Sequence, residues 1–309
     1  MSFTTEIKQE IANNKMKKCC AKAELSALIH FTSSLSINNK KLGLSIRTEN
    51  ASTARRTVSL LKKFYKVDTK LAVARKSNLK KNNIYRVAVN QNVKNILTDL
   101  GIYGKRGISS VPSSKIVKNN CCQKAYLTGA FLAYGTCNSP SSNNYHFEIS
   151  TSDNSMASFI KKLLEKQNID SKITKRRNRY IVYIKKAEKI EDVLKLIGAS
   201  DSLISFTNNR VMRDYKANFV RLDNCETANT IKSLKVAELQ VKKINKIKKA
   251  NKAQNLDAKL KEVYDLRLDN PESSLLELCF EYEKIYGNEI SKSGMKHRLN
   301  KLEEFADSL

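Results

Sequence analysis

The sequence lacks several features that would assign it to common protein classes. It has no tryptophan, 9 glycines and 3 prolines among 309 residues, which argues against Gly-rich nucleotide-binding loops and Pro-rich linkers. No apolar run approaches the ~20 residues of a membrane span, and the first six residues lack the apolar core of a secretory signal. The sequence therefore predicts a globular, cytoplasmic protein with no membrane partner.

Recognised metal-ligand spacing is also missing. The 3 histidines lie far apart, and the 7 cysteines include two adjacent pairs, Cys19–Cys20 and Cys121–Cys122, rather than the Cys-x-x-Cys spacing of a zinc knuckle. An odd number of cysteines without export indicates reduced thiols. We therefore interpret the cysteines as buried small apolar residues and predict no metal, no cofactor and no small-molecule ligand.

Acidic residues are scarce relative to basic ones. The chain carries 57 Lys and Arg against 30 Asp and Glu, a net charge of +27. The excess lies in the N-terminal part and in the lysine-rich span 229–256, whereas residues 257–309 contain more acids than bases. Such a charge distribution attracts polyanions. A Lys- and Asn-rich composition also arises in AT-rich genomes, so charge favours nucleic acid without establishing it.

An internal duplication organises most of the chain. Each copy opens with a Cys-Cys pair and a short helix, then runs through a polar loop (33–41 and 135–145) into an extended segment. An amphipathic helix (51–65 and 155–168) and further strands follow. We place the repeats at about 19–100 and 121–198.

This pattern predicts an α+β fold. The expected architecture is a duplicated αββαββα saddle over residues 1–205, a Lys-rich helical linker over 206–255 and an all-α module over 256–309.

Both repeats concentrate bases in the β-hairpin of their second half. The spans 70–86 and 172–186 contain no acidic residue. The candidate DNA-backbone residues are Lys70, Arg75, Lys76, Lys80, Lys81 and Arg86 in the first repeat and Lys172, Lys175, Arg176, Arg177 and Arg179 in the second. Two equivalent hairpins would form one positive surface suited to duplex phosphates. A merely solvated hairpin face is the alternative, but its recurrence in both repeats favours binding.

The last 54 residues read as three helices. The second helix begins with a capping box from Ser274 to Glu277, and the third begins at Ser291, so a helix-turn-helix would occupy about 274–307. The third helix has an apolar stripe, and its other faces carry no acid over 291–301. The candidate DNA-binding residues are Ser291, Lys292, Ser293, Lys296, His297, Arg298, Asn300 and Lys301. This distribution is typical of a recognition helix; a generic three-helix bundle with a basic patch is the alternative.

Residues 127–135 (LTGAFLAYG) resemble the LAGLIDADG signature of homing endonucleases at the leucine and both glycines. In that family, small residues let two helices pack closely, and an acid at the eighth position holds a divalent metal for phosphodiester cleavage. That position is Tyr134 here and Thr32 in the first copy. Because Mg²⁺ requires hard, charged oxygen ligands, the resemblance implies a DNA-binding scaffold that has lost its metal-dependent cleavage site.

The degenerate repeats, residues 221–229 (RLDNCETAN) and residues 291–299 (SKSGMKHRL) together resemble the WhiA family of bacterial regulators over nearly the whole chain. The resemblance implies a non-enzymatic, nucleoid-associated transcriptional regulator that binds double-stranded DNA. Relatives act in cell division and chromosome segregation, or in sporulation, and RNA polymerase or another regulator is a candidate partner. Two alternatives stay open: a large domain that serves as a protein-interaction platform, with DNA bound by the helix-turn-helix alone, or an active endonuclease.

Overall fold

The structure is a computed structural model that describes residues 2–38, 41–75, 83–105 and 107–309. The chain divides into two compact units, residues 1–213 and 214–309. Among the described residues, no helix combines the length and the apolar character needed to cross a membrane.

The first repeat forms a four-stranded antiparallel sheet with helices on one face. It is preceded by α1 (Phe3–Ala12). Its elements are α2 (Lys18–Thr32), β1 (Ser33–Asn38), β2 (Lys41–Thr48), α3 (Ala51–Tyr65), β3 (Lys70–Arg75), β4 (Asn83–Val89) and α4 (Val93–Asp99). The strand order is β1-β2-β4-β3, which makes β3 an edge strand. A small hairpin, β5 (Tyr103–Gly104) and β6 (Gly107–Ile108), leads to the second repeat.

The second repeat reproduces this topology. Its elements are α5 (Asn120–Tyr134), β7 (Gly135–Cys137), β8 (Phe147–Thr151), α6 (Asn154–Glu165), β9 (Lys172–Arg176), β10 (Arg179–Ile184) and α7 (Ala187–Ile197). Its strand order β7-β8-β10-β9 matches that of the first sheet. The α+β duplication predicted from the sequence is thus confirmed, and β9 occupies the same edge position as β3.

The two repeats join through α2 and α5, which pack extensively against each other. Gly129 makes that approach possible, because a Cβ built on it would lie 2.4 Å from the carbonyl oxygen of Glu24 and 2.8 Å from the Cβ of Ala27. Around this helix pair, apolar residues of both sheets and of α1 to α7 form one continuous core. The small residues of the signature therefore serve backbone-to-backbone packing.

The second unit is helical. Helix α8 (Ser200–Lys249) contains the boundary between the units, and α9 (Ala258–Asp269), α10 (Leu275–Tyr286) and α11 (Lys292–Asp307) follow it. The predicted capping box is present, with Ser274 and Glu277 satisfying each other's backbone N–H groups. Gly287 ends α10 with φ of +69°, a left-handed conformation that costs glycine little.

The second unit uses part of the span that the sequence assigned to the linker. Ile244 and Ile247 of α8 are fully buried in the same core as Met295, Leu299 and Leu302 of α11. Their spacing of three residues places both on one face of α8, so the end of that helix packs as a member of the bundle.

Two further features differ from the sequence-based expectation. The predicted polar loops begin with strands, β1 and β7, which pair with β2 and β8. The cysteines are not uniformly buried: Cys20, Cys122 and Cys137 are, whereas Cys19, Cys121 and Cys225 are exposed. The interpretation of all seven as buried apolar residues was therefore wrong, since adjacent residues in a first helical turn point to different sides.

Candidate nucleic-acid interface

The edge strand β9 presents a row of bases on the sheet face opposite the helices. Its alternate residues Lys172, Thr174 and Arg176 share that face with Arg179 of β10, which pairs directly with Arg176. The other face carries most of the buried residues of β8 and β10, including Val182. Lys172 and Arg176 are exposed. We name the face turned away from the helices the outer face of each sheet.

A two-residue turn places a further base at the hairpin tip. Arg177 and Asn178 connect β9 to β10 with φ of +46° and +59°. Two consecutive left-handed residues define a type I′ turn, which matches the twist of an antiparallel hairpin. Arginine adopts this left-handed region less readily than asparagine does, so the pairing of the flanking strands holds Arg177 in it. The Arg177 side chain is exposed at the tip.

Two bases of the second hairpin already have partners. The Arg179 guanidinium lies 4.5 Å from the Tyr134 ring centroid and donates to the Ser150 carbonyl at 3.3 Å. Lys175 lies on the opposite face from Lys172 and Arg176, with its Nζ 5.6 Å from the Tyr180 ring centroid. The second hairpin therefore divides its bases between two faces and does not form one uniform surface.

The first sheet has an equivalent basic patch. Lys70 and Arg86 lie on its outer face, and Arg86 pairs in register with Arg47 of β2. Arg47 is exposed and was missed by the sequence analysis, although its position in alternating strand β2 gave the signal. Arg75 lies on the opposite strand face from Lys70. The remaining hairpin candidates, Lys76, Lys80 and Lys81, lie outside the described residues.

The C-terminal ends of α2 and α5 are where the resemblance would require catalytic acids. Thr32 is buried, and its hydroxyl donates to the Leu28 carbonyl at 2.6 Å. Tyr134 is 38% exposed and stacks with Arg179. Neither residue offers a carboxylate, and each side chain already contacts another group of the protein, Leu28 for Thr32 and Arg179 for Tyr134. The metal-binding geometry of a nuclease is therefore not supplied at these two positions.

A cavity of about 380 Å³ opens beside these helix ends, lined by His30, Tyr134, Asp153 and Arg179 among others. Burial lowers the pKa of His30, and its Nε2 lies 2.8 Å from the Ser109 carbonyl oxygen. Asp153 is the one acid among the described lining residues, and its Oδ1 accepts from the backbone N–H of Ser155 as the cap of α6. A single capping carboxylate does not form the paired metal site that phosphodiester cleavage needs.

Helix α11 presents an exposed polar face opposite its buried stripe. Ser291 caps its N-terminus by accepting from the Gly294 N–H at 3.1 Å. The buried stripe consists of Met295, Leu299, Leu302 and Ala306. The exposed candidates are Lys292, Ser293, Lys296, His297, Asn300 and Lys301. Six exposed polar side chains without an acid over 292–301 give this helix a positive face that is free to meet a ligand.

Arg298 does not belong to that face. Its guanidinium donates to the Tyr282 hydroxyl at 2.8 Å and lies 3.8 Å from a carboxylate oxygen of Glu262. Its side chain is 23% exposed. Arg298 therefore holds α11 against α9 and α10. It stood among the candidate DNA-binding residues because a helical pattern shows charge but not the partner across the bundle.

Three family models match the chain. The WhiA N-terminal LAGLIDADG-like domain matches residues 18–103, the WhiA LAGLIDADG-like domain residues 123–216, and the WhiA C-terminal HTH domain residues 219–306. Curated relatives named "Probable cell division protein WhiA" occur in Bacillus licheniformis, at 44% identity, and in Bacillus subtilis, at 43%. Each alignment covers 100% of this chain and 97% of the relative.

Solved structures agree with the fold. Full-length DUF199/WhiA from Thermatoga maritima aligns over 100% of this chain and 99% of that one, with a TM-score of 0.59 and 21% identity. The N-terminal LAGLIDADG domain of DUF199/WhiA aligns over 64% of this chain and 90% of that one, with a TM-score of 0.51 and 22% identity. Because the family models span both repeats and the helical unit, and full-length relatives exceed 40% identity, the chain belongs to the WhiA family.

Proposed function

We propose that this protein is a non-catalytic regulator that binds double-stranded DNA and reads its sequence with α11. The observation that carries the proposal is the acid-free, exposed face of α11, with Lys292, Lys296, Asn300 and Lys301 opposite a buried apolar stripe. A helix of this kind fits the major groove, where Lys and Asn side chains donate to base edges. Arg298 serves to position the helix through Tyr282 and Glu262.

The outer faces of the two sheets bind the DNA backbone in this proposal. Arg47, Lys70 and Arg86 lie on the first sheet, and Lys172 and Arg176 on the second. Pairing of these bases with phosphates raises affinity without reading sequence, and each neutralised phosphate adds to the salt dependence of binding. The absence of carboxylates at Thr32 and Tyr134 supports binding without cleavage.

The proposed cellular role starts from the name of the relatives. That printed name, "Probable cell division protein WhiA", supports a role in cell division. We extend the proposal to control of transcription and to chromosome segregation by a nucleoid-associated protein, as the family resemblance implies. RNA polymerase or another regulator is the proposed protein partner.

The salt dependence of duplex binding tests the role of the sheet faces. Lys172→Ala/Arg176→Ala should reduce the slope of log K against log salt by roughly 0.9 for each phosphate that the variant no longer neutralises. The matched control is Lys161→Ala/Lys189→Ala, which removes the same charge from the helical side, where both lysines pair with acids.

The same titration shows whether the sheet faces bind DNA together with α11 or whether α11 binds it alone. If the sheet variant keeps the wild-type slope while an α11 variant no longer binds, the large unit acts as a protein-interaction platform. Plasmid nicking in Mg²⁺ or Mn²⁺ by the wild-type protein would contradict the non-catalytic assignment.

A further inference from the structure

Four thiols meet where the two central helices begin. Cys19 and Cys20 lie in the first turn of α2, and Cys121 and Cys122 occupy the equivalent positions in α5. All four Sγ atoms lie within 4.8 Å of one another, with Cys19–Cys20 at 3.9 Å and Cys121–Cys122 at 4.0 Å. The duplication thus brings two Cys-Cys pairs, 102 residues apart in sequence, into one cluster on the axis between the repeats.

This cluster is separate from the cavity described above. It lies at the N-terminal ends of α2 and α5, whereas Thr32 and Tyr134 are the last residues of the same helices. Twelve residues of α-helix separate Cys20 from Thr32, which corresponds to about 18 Å. The cluster therefore lies at the opposite end of the helix pair from the cavity and shares no residue with it.

The sulfur separations fit a single tetrahedral ion. A Zn–S bond of about 2.3 Å places the four sulfurs of a tetrahedral site about 3.8 Å apart, close to the 3.9 and 4.0 Å within the two pairs. An iron–sulfur cluster inserts several ions between its thiolates and needs wider spacing than 4.8 Å allows. A disulfide needs about 2.05 Å between sulfurs, and two adjacent cysteines within a regular helical turn cannot reach that without breaking the turn.

The surroundings favour negative charge at the sulfurs. Neither α2 nor α5 has a side-chain cap bond or an acid in its first turn, so the positive ends of both helix dipoles face the cluster. Lysines flank both pairs in sequence, at Lys17 and Lys18 and at Lys118 and Lys124. A tetrathiolate zinc centre carries two net negative charges, which these groups offset.

The cluster reaches from the core to the surface, because Cys20 and Cys122 are buried whereas Cys19 and Cys121 are exposed. A bound cation deprotonates coordinating thiols outright, so an ion at this position would be held by four thiolates.

We propose that Cys19, Cys20, Cys121 and Cys122 bind one Zn²⁺ as a structural tetrathiolate site. Four S–H bonds break, four Zn–S bonds form, and four protons pass to solvent without any change of oxidation state. Four protein ligands leave no open position for substrate, which is the arrangement of structural zinc. The ion joins the first turns of α2 and α5 and so fixes the N-terminal end of the interface between the repeats.

Zinc content tests the proposal directly. The full-length protein is purified under reducing conditions without chelator, and zinc is counted by plasma mass spectrometry. We expect one zinc ion per chain in the wild type and in the control Cys225→Ser/Cys279→Ser, whose cysteines lie outside the cluster. We expect loss of that zinc in Cys19→Ser/Cys121→Ser, which changes only the two exposed members. Equal zinc in both double variants, or a wild type without stoichiometric zinc, would overturn the proposal.

Cobalt replacement keeps the test independent of whether the variant folds. Metal-free wild-type protein titrated with Co²⁺ should develop intense thiolate-to-cobalt charge-transfer absorption and the strong visible bands of a tetrahedral site, saturating at one ion per chain. Zn²⁺ should then displace the cobalt and abolish both features. Weak octahedral absorption alone, or alkylation of all seven cysteines at equal rates with and without Zn²⁺, would contradict a four-sulfur site.

Discussion

Gly129→Ala should open the interface between the repeats. Its Cβ would lie 2.4 Å from the Glu24 carbonyl oxygen and 2.8 Å from the Ala27 Cβ. Backbone cannot rotate away as a side chain can, so α2 and α5 must separate. Overpacking of a core costs about 1–3 kcal/mol and sometimes more, and a clash with backbone belongs at the upper end. The helix propensity of alanine returns up to about 1 kcal/mol, which leaves a net destabilisation of about 2 kcal/mol.

Thermal unfolding measures this destabilisation. For a unit of about 150–250 residues, 1 kcal/mol shifts Tm by roughly 2–4 °C, so Gly129→Ala should lower the transition of the first unit by about 4–8 °C. Gly294→Ala in α11 is the matched control, since its nearest neighbours are side-chain atoms at 3.3 Å; we expect a change of at most about 1 kcal/mol there. A Gly129→Ala protein as stable as wild type would refute the close-packing account.

Three further substitutions test buried polar groups and caps. Arg56→Ala removes the partner of buried Glu24, whose carboxylate lies 2.7 Å from the Arg56 Nε, and should cost about 3–5 kcal/mol at neutral pH. Burial raises the pKa of Glu24, so the folded protein loses stability as pH rises and this carboxyl ionises. At acidic pH Glu24 is protonated and needs no cationic partner. The destabilisation by Arg56→Ala should therefore be smaller in urea titrations at acidic pH, and a pH-independent destabilisation would contradict this. Arg267→Met removes charged hydrogen bonds to Gln240 and to two carbonyls and should cost the second unit at least about 1.5–3 kcal/mol; calorimetry showing no destabilisation of that unit would count against it. Ser274→Ala breaks the capping box and should lower the free energy of unfolding of the second unit by about 1 kcal/mol. An unchanged denaturant midpoint would contradict this.

Periodicity and caps were sufficient to predict much of this fold. The amphipathic pattern over 51–65 predicted α3 with the bounds that the structure has, because a helix with one apolar face repeats every 3.6 residues. The capping box at Ser274 likewise located the start of α10. Duplication then fixed the order of elements, since each repeat supports the assignment of the other.

The remaining features depend on tertiary packing that sequence does not show. Strand β1 was assigned to a loop because its serines mask the alternation of Leu35 and Ile37, and pairing with β2 overrides their weak propensity. Arg298 looked like a base-reading residue until its partner Tyr282 was placed across the bundle.

The thiol cluster was missed for the same reason. Each Cys-Cys pair alone lacks metal-ligand spacing, and only the packing of α2 on α5 joins the two pairs. The duplication itself was the available signal, because equivalent residues of two helices on a pseudo-two-fold axis must lie near each other.

Genome-wide immunoprecipitation tests the central claim most directly. The wild-type protein should give discrete peaks that share a sequence motif. Lys296→Ala/Asn300→Ala should abolish those peaks, since removing a side chain that hydrogen-bonds a base edge costs about 1–3 kcal/mol. The control Asn255→Ala/Lys259→Ala, which changes exposed residues of the same types outside α11, should retain them. Peaks that survive in the α11 variant, with the same motif and occupancy as wild type, would contradict sequence reading by this helix.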